Sequence, residues 1–404
     1  MTDTPTGIAF EDARKILVGV AARQRLPVEQ LALARCHGRV LAEDIAAPIA
    51  LQPFDNSAMD GYACRHADLG ADADTTLHLV GEQFAGRALG LQVSSGECVR
   101  ITTGAPMPAG ADTVVIRENA TVDGQRITLA AGTRAGANVR RAGEDCIAGD
   151  PVLARGTLLG PVQVSLAASL GIERLAVAAR PTVAVFTTGD ELVEPGMPLQ
   201  PGEIYNSNRE LLMGLLRAEG LEPVAWPTLP DDPARIAAML VDAASSFDLV
   251  ISCGAVSAGE KDHIPAVLQA RGRVHFWKVR MKPGMPVLAG QLDRAQFLGL
   301  PGNPVSVLAT WLTLGRVLVD GLQGRAPRAR QFARLETAID KTHARREFIR
   351  GSLHAGEDGV LQVRPHAATG SHRLRAAAEA NALITLPEQA QRLDAGAVVE
   401  VLTY

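Results

Sequence analysis

The sequence predicts a multi-domain α/β protein organised around a doubly wound parallel sheet. A chain of 404 residues, 47% of them hydrophobic, is too long for one core and has ample apolar material for several. Between residues 180 and 310, buried-strand patterns alternate with amphipathic helices, which is typical of parallel sheets with right-handed crossovers. On both sides of that region the pattern changes to short β-type runs broken by Gly, Pro and Asp.

Composition excludes several classes of protein. The net charge of −4 argues against a nucleic-acid binder, so any bound anion must be held by local groups. The five cysteines are scattered and never form a C-x-x-C pair, which argues against a disulfide framework or a thiolate zinc site. The N-terminus carries acids where a signal peptide needs a basic segment. We therefore expect a cytoplasmic protein with neither nucleic acid nor membrane as a partner.

The N-terminal part combines helices with a β-rich insertion. Residues Phe10–Arg25 place aliphatic side chains at helical spacing and predict an amphipathic first helix. The region from about 46 to 145 reads as an inserted β-rich subdomain. After it, Pro161 in a first turn and Gly171 at the end predict another helix.

The central region supplies the strands and helices of the sheet. Its predicted strands are Thr182–Phe186, Val224–Leu229, Leu249–Ser252, Val274–Lys278 and Gln296–Leu300. Its predicted helices are one capped by Asn206 and ending at Gly220, one starting after Asp231-Asp232-Pro233, and Ile264–Ala270.

Domain boundaries follow from these changes of pattern. The Gly-, Pro- and Arg-rich stretch Gly321–Arg330 predicts a linker, and the chain beyond it predicts a small β-barrel or sandwich. The expected division is an N-terminal region of residues 1–180, an α/β domain of 181–325 and a C-terminal domain of 326–404.

Candidate chemistry collects in the loops that follow the predicted strands. Because such loops share one edge of a parallel sheet, the acids and lysines of five loops should lie together. These residues are Asp190, Glu191, Asp231, Asp232, Asp262, Lys278 and Lys282. A single acid after a strand usually caps a helix, but carboxylates beside lysines also suit Mg²⁺ and phosphate. The combination therefore indicates phosphoanhydride chemistry.

Three loops of small residues add to this pattern, although none of them by itself indicates a particular reaction. The segment FDLVISCGAVSAGEKD, Phe247–Asp262, opens from a buried strand into a Gly/Ala/Ser loop suited to an anionic ligand. The segment GLPGNPVS, Gly299–Ser306, either turns its backbone donors toward an oxyanion or is a rigid loop before a helix. By composition, PFDNSAMDGYA at Pro53–Ala63 is a polar turn.

Taken together, the motifs resemble those of the bacterial MoeA family, also represented in the C-terminal part of gephyrin. They are PFDNSAMDGYA, RITTGAPMPAGADTVV, RRAGED, TTGDEL, IYNSN, SCGAVSAG-x-x-D, KPG and GLPGNPVS, in this order. The resemblance covers essentially the whole chain. It implies a homodimer with a central molybdopterin-binding α/β domain and a C-terminal β-barrel. It also implies a molybdopterin molybdenumtransferase that inserts molybdate into adenylylated molybdopterin, with Mg²⁺-dependent release of AMP.

The resemblance also implies roles for individual residues. It implies catalytic roles for Asp60, Glu191, Asp231 and Asp262, the last three also as ligands of Mg²⁺. It implies substrate binding by Thr103, Asp145, Ser257, Lys278, Lys282, Pro301, Asn303, Pro304, Arg350 and Ser371. Asp60, Thr103 and Asp145 are expected to reach the partner subunit's cleft. Further partners would be a molybdopterin adenylyltransferase and molybdoenzyme chaperones.

Three departures from the family pattern bear on activity. Cys253 and Ala255 stand in a loop that commonly reads S-G-G-V-S, and Met285 stands where K-P-G-K-P has its second lysine. Ala255 is costly if its φ is positive, and the loss of a lysine predicts weaker molybdate binding or more dependence on Arg350. Cys253 is interpreted as a small buried residue rather than a nucleophile. Two alternatives stay open: a non-catalytic scaffold for cofactor delivery, and a molybdopterin adenylyltransferase.

Overall fold

A computed structural model describes residues 4–257 and 262–404, and its centre is a seven-stranded sheet. Across the sheet the strands are Thr6–Ile8, Arg273–Val279, Leu288–Leu292, Ala295–Leu300, Leu249–Cys253, Val183–Thr187 and Pro223–Ala225. The last four of these are mutually parallel. The predicted parallel core is therefore confirmed.

Apolar side chains cover both faces of this sheet. Val183 and Val185 pack on one face, Ala184 and Phe186 on the other, because successive side chains of a strand point to opposite sides. Helices Phe10–Arg23, Ser207–Ala218 and Pro304–Thr310 cover the first face, and Pro233–Ser246 and Ile264–Arg271 cover the second. The doubly wound arrangement is confirmed.

One strand was not predicted, and it changes the sheet from parallel to mixed. Leu288–Leu292 pairs antiparallel with Ala295–Leu300 on one side and with Arg273–Val279 on the other. Asp293, with φ 51°, takes the left-handed conformation that tight hairpin turns require. The predicted strand Val224–Leu229 is also shorter than expected, because its later residues form the loop after Pro223–Ala225.

The linker was predicted to begin at Gly321, but this residue lies inside a helix, so the predicted start is wrong. Arg316–Gln323 is helical and packs against the first helix. A Cβ at Gly321 would lie 2.6 Å from the Cβ of Ala21, so glycine permits the close approach of the two helices. Gly324, with φ 67°, ends the helix.

The last helical segment of the α/β domain runs through its core. Pro304–Thr310 continues through a π-helical stretch, Trp311–Gly315, into Arg316–Gln323. Its length and composition would allow it to cross a membrane, but 78% of the apolar window is buried inside the fold. Its apolar surface is thus covered by protein.

The inserted region and its surroundings are built mainly from short strands. The insertion contains a six-stranded sheet of Thr113–Ile116, Gly61–Cys64, Glu97–Ile101, Thr75–Gln83, Arg126–Leu129 and Ala120–Asp123. Two-stranded pairs flank it: Asn56–Ser57 with Val139–Arg140, Ile45–Ala46 with Pro151–Leu153, and Val28–Ala32 with Arg174–Ala178. The predicted helix forms at Pro161–Ser169, and Gly171 follows it with φ 75°.

The C-terminal region forms a closed five-stranded barrel, as predicted. Around the barrel the strands are Arg346–Ala355, Leu361–Pro365, Gln331–Leu335, Val398–Thr403 and Ala382–Leu386, and the last pairs with the first. Smaller elements are Leu192–Val193 paired with Ile204–Tyr205, Ile339–Asp340 paired with Arg392–Leu393, and the helix Leu374–Ala378. Met281–Lys282 of the α/β domain pairs with Arg346–Ala355, which joins the two domains through a shared ladder.

A buried ion-pair cluster also joins the α/β domain to the barrel. The carboxylate of Glu219, 7% exposed, accepts hydrogen bonds from Arg316 Nε at 2.5 Å and Arg328 Nη2 at 2.5 Å. Burial acts to raise the pKa of Glu219, but the hydrogen bond from Arg328 and the charge of Arg316 outweigh it, so its pKa is lowered. Glu219 is thus ionised at neutral pH and stabilises the fold above its ordinary pKa.

Glu219→Gln is expected to lower the free energy of unfolding at pH 7 by about 2 kcal/mol, because charge-assisted hydrogen bonds are replaced by neutral ones. Since the folded-state pKa is depressed, the wild-type advantage should disappear as the pH falls through it. Calorimetric unfolding of both proteins at pH 7 and at low pH measures this. An equal difference at both pH values would contradict the assignment.

Candidate active site

A cleft of about 420 Å³ lies where the α/β domain meets the barrel. Five of the predicted site residues line it: Lys282, Pro301, Asn303, Arg350 and Ser371. Three of them come from the KPG and PGNP loops of the α/β domain. Arg350 comes from the barrel strand Arg346–Ala355, and Ser371 comes from the GSH loop of the barrel. Pro304 begins the helix that leaves the cleft. The structure therefore brings together residues that are up to 89 positions apart in the sequence, from Lys282 to Ser371.

Direct hydrogen bonds hold the barrel loop against the PGNP loop. Asn303 Nδ2 donates to Ser371 Oγ at 3.0 Å, and the Val305 N–H donates to the Ser371 carbonyl at 3.1 Å. Arg350 Nη1 donates to the Gly370 carbonyl at 3.1 Å, and its Nη2 donates to the Ala368 carbonyl. The two loops form one wall of the cleft.

Arg350 is buried and only partly satisfied. It is 3% exposed, and its Nε–H has no hydrogen-bond partner among the described residues. Burial lowers the pKa of its guanidinium, yet arginine keeps its charge in proteins. A buried, unpaired donor beside the cleft is costly unless a ligand accepts from it. Most of its other donors position the loop 368–370.

Two charged residues of the cleft were missed in the sequence: Arg345 and Glu347. Glu347 accepts from Lys282 Nζ at 2.9 Å and is 8% exposed. Arg345 Nη1 lies 3.9 Å from Met285 Sδ. A cation therefore stands beside the position where the family commonly has its second lysine. Both residues lie within five positions of Arg350, so proximity to the EFIRG motif was the available signal.

The loops at the carboxyl edge of the sheet meet as predicted. Thr188 Oγ1 donates to the Cys253 carbonyl at 3.1 Å, and the Gly254 N–H donates to the Leu300 carbonyl at 2.9 Å. A Cβ at Gly254, whose φ is 97°, would lie 2.2 Å from Thr188 Oγ1, so glycine is required for this contact. The TTGDEL, CGAVS and GLPGNP loops therefore share one edge.

The acids of this edge have different roles. Asp232 caps the helix Pro233–Ser246, accepting from the Ala234 N–H at 2.8 Å and the Arg235 N–H at 3.1 Å. The Asp231 N–H donates to Asp190 Oδ1 at 3.4 Å, which joins the LPDD and TTGDEL loops. For Asp232 the helix-cap interpretation is correct.

The predicted Mg²⁺ ligands do not form a preassembled site among the described residues. Glu191 is exposed, and Asp231 and Asp262 are half-buried. In residues 4–257 and 262–404, no group of three or more His, Cys, Asp or Glu side chains is placed to hold a metal ion. Residues 258–261 of the predicted anion loop lie outside the described residues.

Lys278 and Ser257 lie beside the described part of that loop. Lys278 takes a left-handed conformation, φ 65°, and its Nζ lies 4.6 Å from the centre of the Trp277 ring. The indole N–H of Trp277 donates to the Val256 carbonyl at 2.7 Å. Ser257 is exposed. The hydrogen bond from Trp277 holds the neighbouring Lys278 next to the CGAVS segment. Lys278 does not line the cleft.

Ala255 adopts a positive φ, the conformation in which alanine is expected to be costly. Its φ is 53°, in the left-handed region that glycine adopts at no steric cost. Alanine there costs about 1–2 kcal/mol. The loop keeps its conformation because Gly254 on one side and Val256 on the other are fixed by the hydrogen bonds described above.

Cys253 is buried, as interpreted from the sequence, and burial raises the pKa of its thiol to about 12. We expect native protein at pH 8 to resist alkylation by iodoacetamide at Cys253 and to react at the partly exposed Cys146, because the thiolate is the reactive form. Peptide mass spectrometry measures both sites, and unfolded protein provides the control. Rapid labelling of Cys253 in the native protein would contradict its burial.

The predicted residues of the inserted region form a separate group. Asp60 Oδ1 accepts from both the Thr103 N–H and Thr103 Oγ1 at 2.8 Å. These hydrogen bonds lower the pKa of Asp60. Asp145 is exposed, and its N–H donates to the Leu51 carbonyl. None of the three lines the cleft of the same chain.

Comparison with known proteins gives matches over nearly the whole chain. Family models match residues 8–171 (MoeA N-terminal region, domain I and II), 184–320 (probable molybdopterin binding domain) and 333–404 (MoeA C-terminal region, domain IV). A molybdopterin molybdenumtransferase of Haemophilus influenzae is 41% identical over 92% of this chain and 93% of that protein. Molybdopterin molybdenumtransferase 2 of Mycobacterium tuberculosis is 38% identical over 91% of this chain and 93% of its own length.

Solved structures agree with these matches. The molybdopterin biosynthesis MoeA protein of Pyrococcus horikoshii superposes with a TM-score of 0.84 at 28% identity, covering 98% of this chain and all of that one. The fold and these matches thus define a transferase of molybdenum cofactor biosynthesis whose α/β domain matches the probable molybdopterin binding domain. The chain belongs to the MoeA family of molybdopterin molybdenumtransferases. The resemblance seen in the sequence is confirmed.

Proposed function

We propose that this protein inserts molybdate into adenylylated molybdopterin and releases AMP. The observation that carries the proposal is the charge of the cleft. Lys282, Arg345 and Arg350 line it together with one carboxylate, Glu347. Three cations against one anion leave two positive charges, which matches the two negative charges of molybdate.

Hydrogen-bond donors in the cleft suit an oxyanion as well. Ser306 and Ser371 line the cleft, and beside it the buried Nε–H of Arg350 has no hydrogen-bond partner in residues 4–257 and 262–404. Donors fixed in a partly buried cleft stabilise an anion more than the same groups do in water. Glu347 holds Lys282 in place, which limits the reorganisation needed when the anion binds.

The adenylylated pterin is assigned to the edge of the sheet next to the cleft. There the TTGDEL, LPDD and CGAVS loops meet at the carboxyl ends of parallel strands, where open α/β sheets bind their ligands. This places the pyrophosphate near Glu191, Asp231 and Asp262 and the dithiolene end toward molybdate. Lys278 and Ser257 would neutralise or bind the phosphates.

The remaining assignments concern assembly and Mg²⁺. We propose a cytoplasmic homodimer in which Asp60, Thr103 and Asp145 complete the partner's site, because they lie away from the cleft of their own chain. Mg²⁺ is proposed as an ion that arrives with the substrate phosphates, since it usually keeps waters and needs only one or two carboxylates. A molybdopterin adenylyltransferase and molybdoenzyme chaperones are the proposed protein partners.

The test combines purified protein with adenylylated molybdopterin, molybdate and Mg²⁺ and follows AMP and pterin-bound molybdenum. We expect both products in equal amounts, and loss of both when molybdate or Mg²⁺ is omitted. Pterin binding without AMP release would identify a scaffold for cofactor delivery instead. Formation of adenylylated molybdopterin from ATP would identify an adenylyltransferase.

A further inference from the structure

A second cavity lies on the other side of the barrel strand that borders the cleft. Its volume is about 590 Å³, larger than that of the cleft and within the usual range of about 300–1,000 Å³ for small-molecule sites. It is bordered by the first helix, the helix Arg316–Gln323 and barrel strands, and it is partly open to solvent. Arg346 lines this cavity, Arg345 and Glu347 line the cleft, and Phe348 contacts both.

Arginine dominates the polar lining of this cavity. Six arginines contribute to it: Arg14, Arg316, Arg325, Arg328, Arg330 and Arg346. The carboxylates paired with them are four, namely Glu11, Glu219, Asp320 and Glu400. Six cations against four anions leave two positive charges. The surplus favours a ligand with negative charge.

Part of the lining is apolar. The rings of Phe10 and Phe348 lie 5.4 Å apart at the cavity, and the Arg346 guanidinium lies 5.0 Å from the centre of the Phe10 ring. Val18, 53% exposed, adds aliphatic surface. An inorganic oxyanion would leave this surface uncovered, so the ligand must also have an apolar body.

One buried polar group in the wall lacks a partner. Thr385 is 6% exposed, and its hydroxyl makes no hydrogen bond among the described residues. Leu383, two residues earlier on the same face of the strand, packs into the core of the α/β domain, so Thr385 points out of the barrel toward the cavity it lines. An unsatisfied buried hydroxyl is costly. Because the oxygen itself is buried, an acceptor on a ligand would relieve that cost only after the Thr385 side chain rotates into the cavity.

We propose that this cavity is a second ligand site, which takes a small organic anion with an apolar, ring-bearing body. The ligand rests against the side of the strand Arg346–Ala355 that carries Arg346 and Phe348. Its charged end meets the arginines of the lining, and its body meets Phe10 and Phe348. Apart from Phe348, the two sites share no lining residue, and their ligands differ in chemistry.

The test uses the full-length protein and the fluorescent probe 8-anilinonaphthalene-1-sulfonate, with N-phenyl-1-naphthylamine as the same ring system without the charge. We expect saturable one-to-one binding of the sulfonate and at least about tenfold weaker binding of the neutral compound, because the arginine surplus selects charge. Binding is measured without turnover, so the result does not depend on the proposed reaction. Equal affinity for the two compounds would overturn the proposal.

Two neighbouring residues of the first helix provide a matched pair of variants. Arg14 lines the cavity and lies 3.8 Å from Glu11, whereas Lys15 lies 3.8 Å from Asp12 and does not line it. Arg14→Glu is expected to weaken sulfonate binding about tenfold, because it removes the positive surplus, while Lys15→Glu should change it less than about twofold. Equal effects of the two variants would overturn the assignment.

A variant that fills the cavity tests its location. Ala329 is exposed and lines the cavity, so Ala329→Trp should block the space and weaken binding at least about tenfold without loss of core packing. Thermal unfolding confirms that each variant is folded. Unchanged probe binding by folded Ala329→Trp protein would show that the probe binds elsewhere and would overturn the proposal.

Discussion

Asp262→Ala is expected to lower AMP release by about three orders of magnitude and to leave the protein folded. Asp262 follows the CGAVS loop and lies two residues before the helix Ile264–Arg271, at the carboxyl edge of the sheet where the pyrophosphate is assigned. A carboxylate that positions or activates a reacting group typically contributes about 10²–10⁴-fold. Single-turnover release of AMP measures the effect.

Asp232→Ala is the control for this experiment. Asp232 belongs to a neighbouring loop of the same edge but caps a helix through two backbone N–H groups. Its removal should cost about 1 kcal/mol of stability and leave AMP release within a few-fold of wild type. Undiminished AMP release by folded Asp262→Ala protein would refute the catalytic role of Asp262.

Lys282→Met is expected to raise the molybdate concentration needed for half-maximal AMP release by roughly 100-fold. Lys282 lines the cleft at 2.9 Å from Glu347, and its loss leaves the net charge of the cleft lower by one. A hydrogen bond to a charged group contributes about 1.5–3 kcal/mol, and 1.4 kcal/mol corresponds to tenfold. Titration of AMP release against molybdate measures the shift.

The same change leaves Glu347 buried without its lysine, so stability must be separated from binding. The double variant Lys282→Met with Glu347→Gln removes the unpaired charge and should regain most of the lost stability. It returns the net charge of the cleft to +2 but restores no cation at position 282, so it should regain only part of the molybdate affinity. A double variant with wild-type dependence on molybdate would contradict the role of Lys282.

Much of the fold could be predicted because its signals are local. The Asn206 cap, the Asp232-Pro233 helix start and Gly171 after the helix Pro161–Ser169 each act within one turn, and all three appear as predicted. The strand Leu288–Leu292 could not be recognised in the same way. The segment LAGQL is short and contains a glycine, so its local pattern does not predict a strand. It becomes a strand only because it pairs with two neighbouring strands.

The candidate site likewise combines residues that local motifs identify with residues that only the fold brings together. The motifs identified Lys282, Asn303, Arg350 and Ser371, and the structure places all four in one cleft. Arg345 has no motif of its own, and it becomes a site residue because the pairing of Met281–Lys282 with the barrel brings it beside Met285. Its charge offsets the lysine that the KPGMP loop lacks.

The sequence by itself determined the family, the order of the domains and five residues of the cleft, because these depend on local patterns within the sequence. The tertiary structure alone decided how charge is distributed. It buried Arg350 among loop carbonyls, paired Lys282 with Glu347 and gathered six arginines around a second cavity. Such pairings join residues far apart in the chain, and electrostatic interaction depends on distance and burial rather than on sequence order.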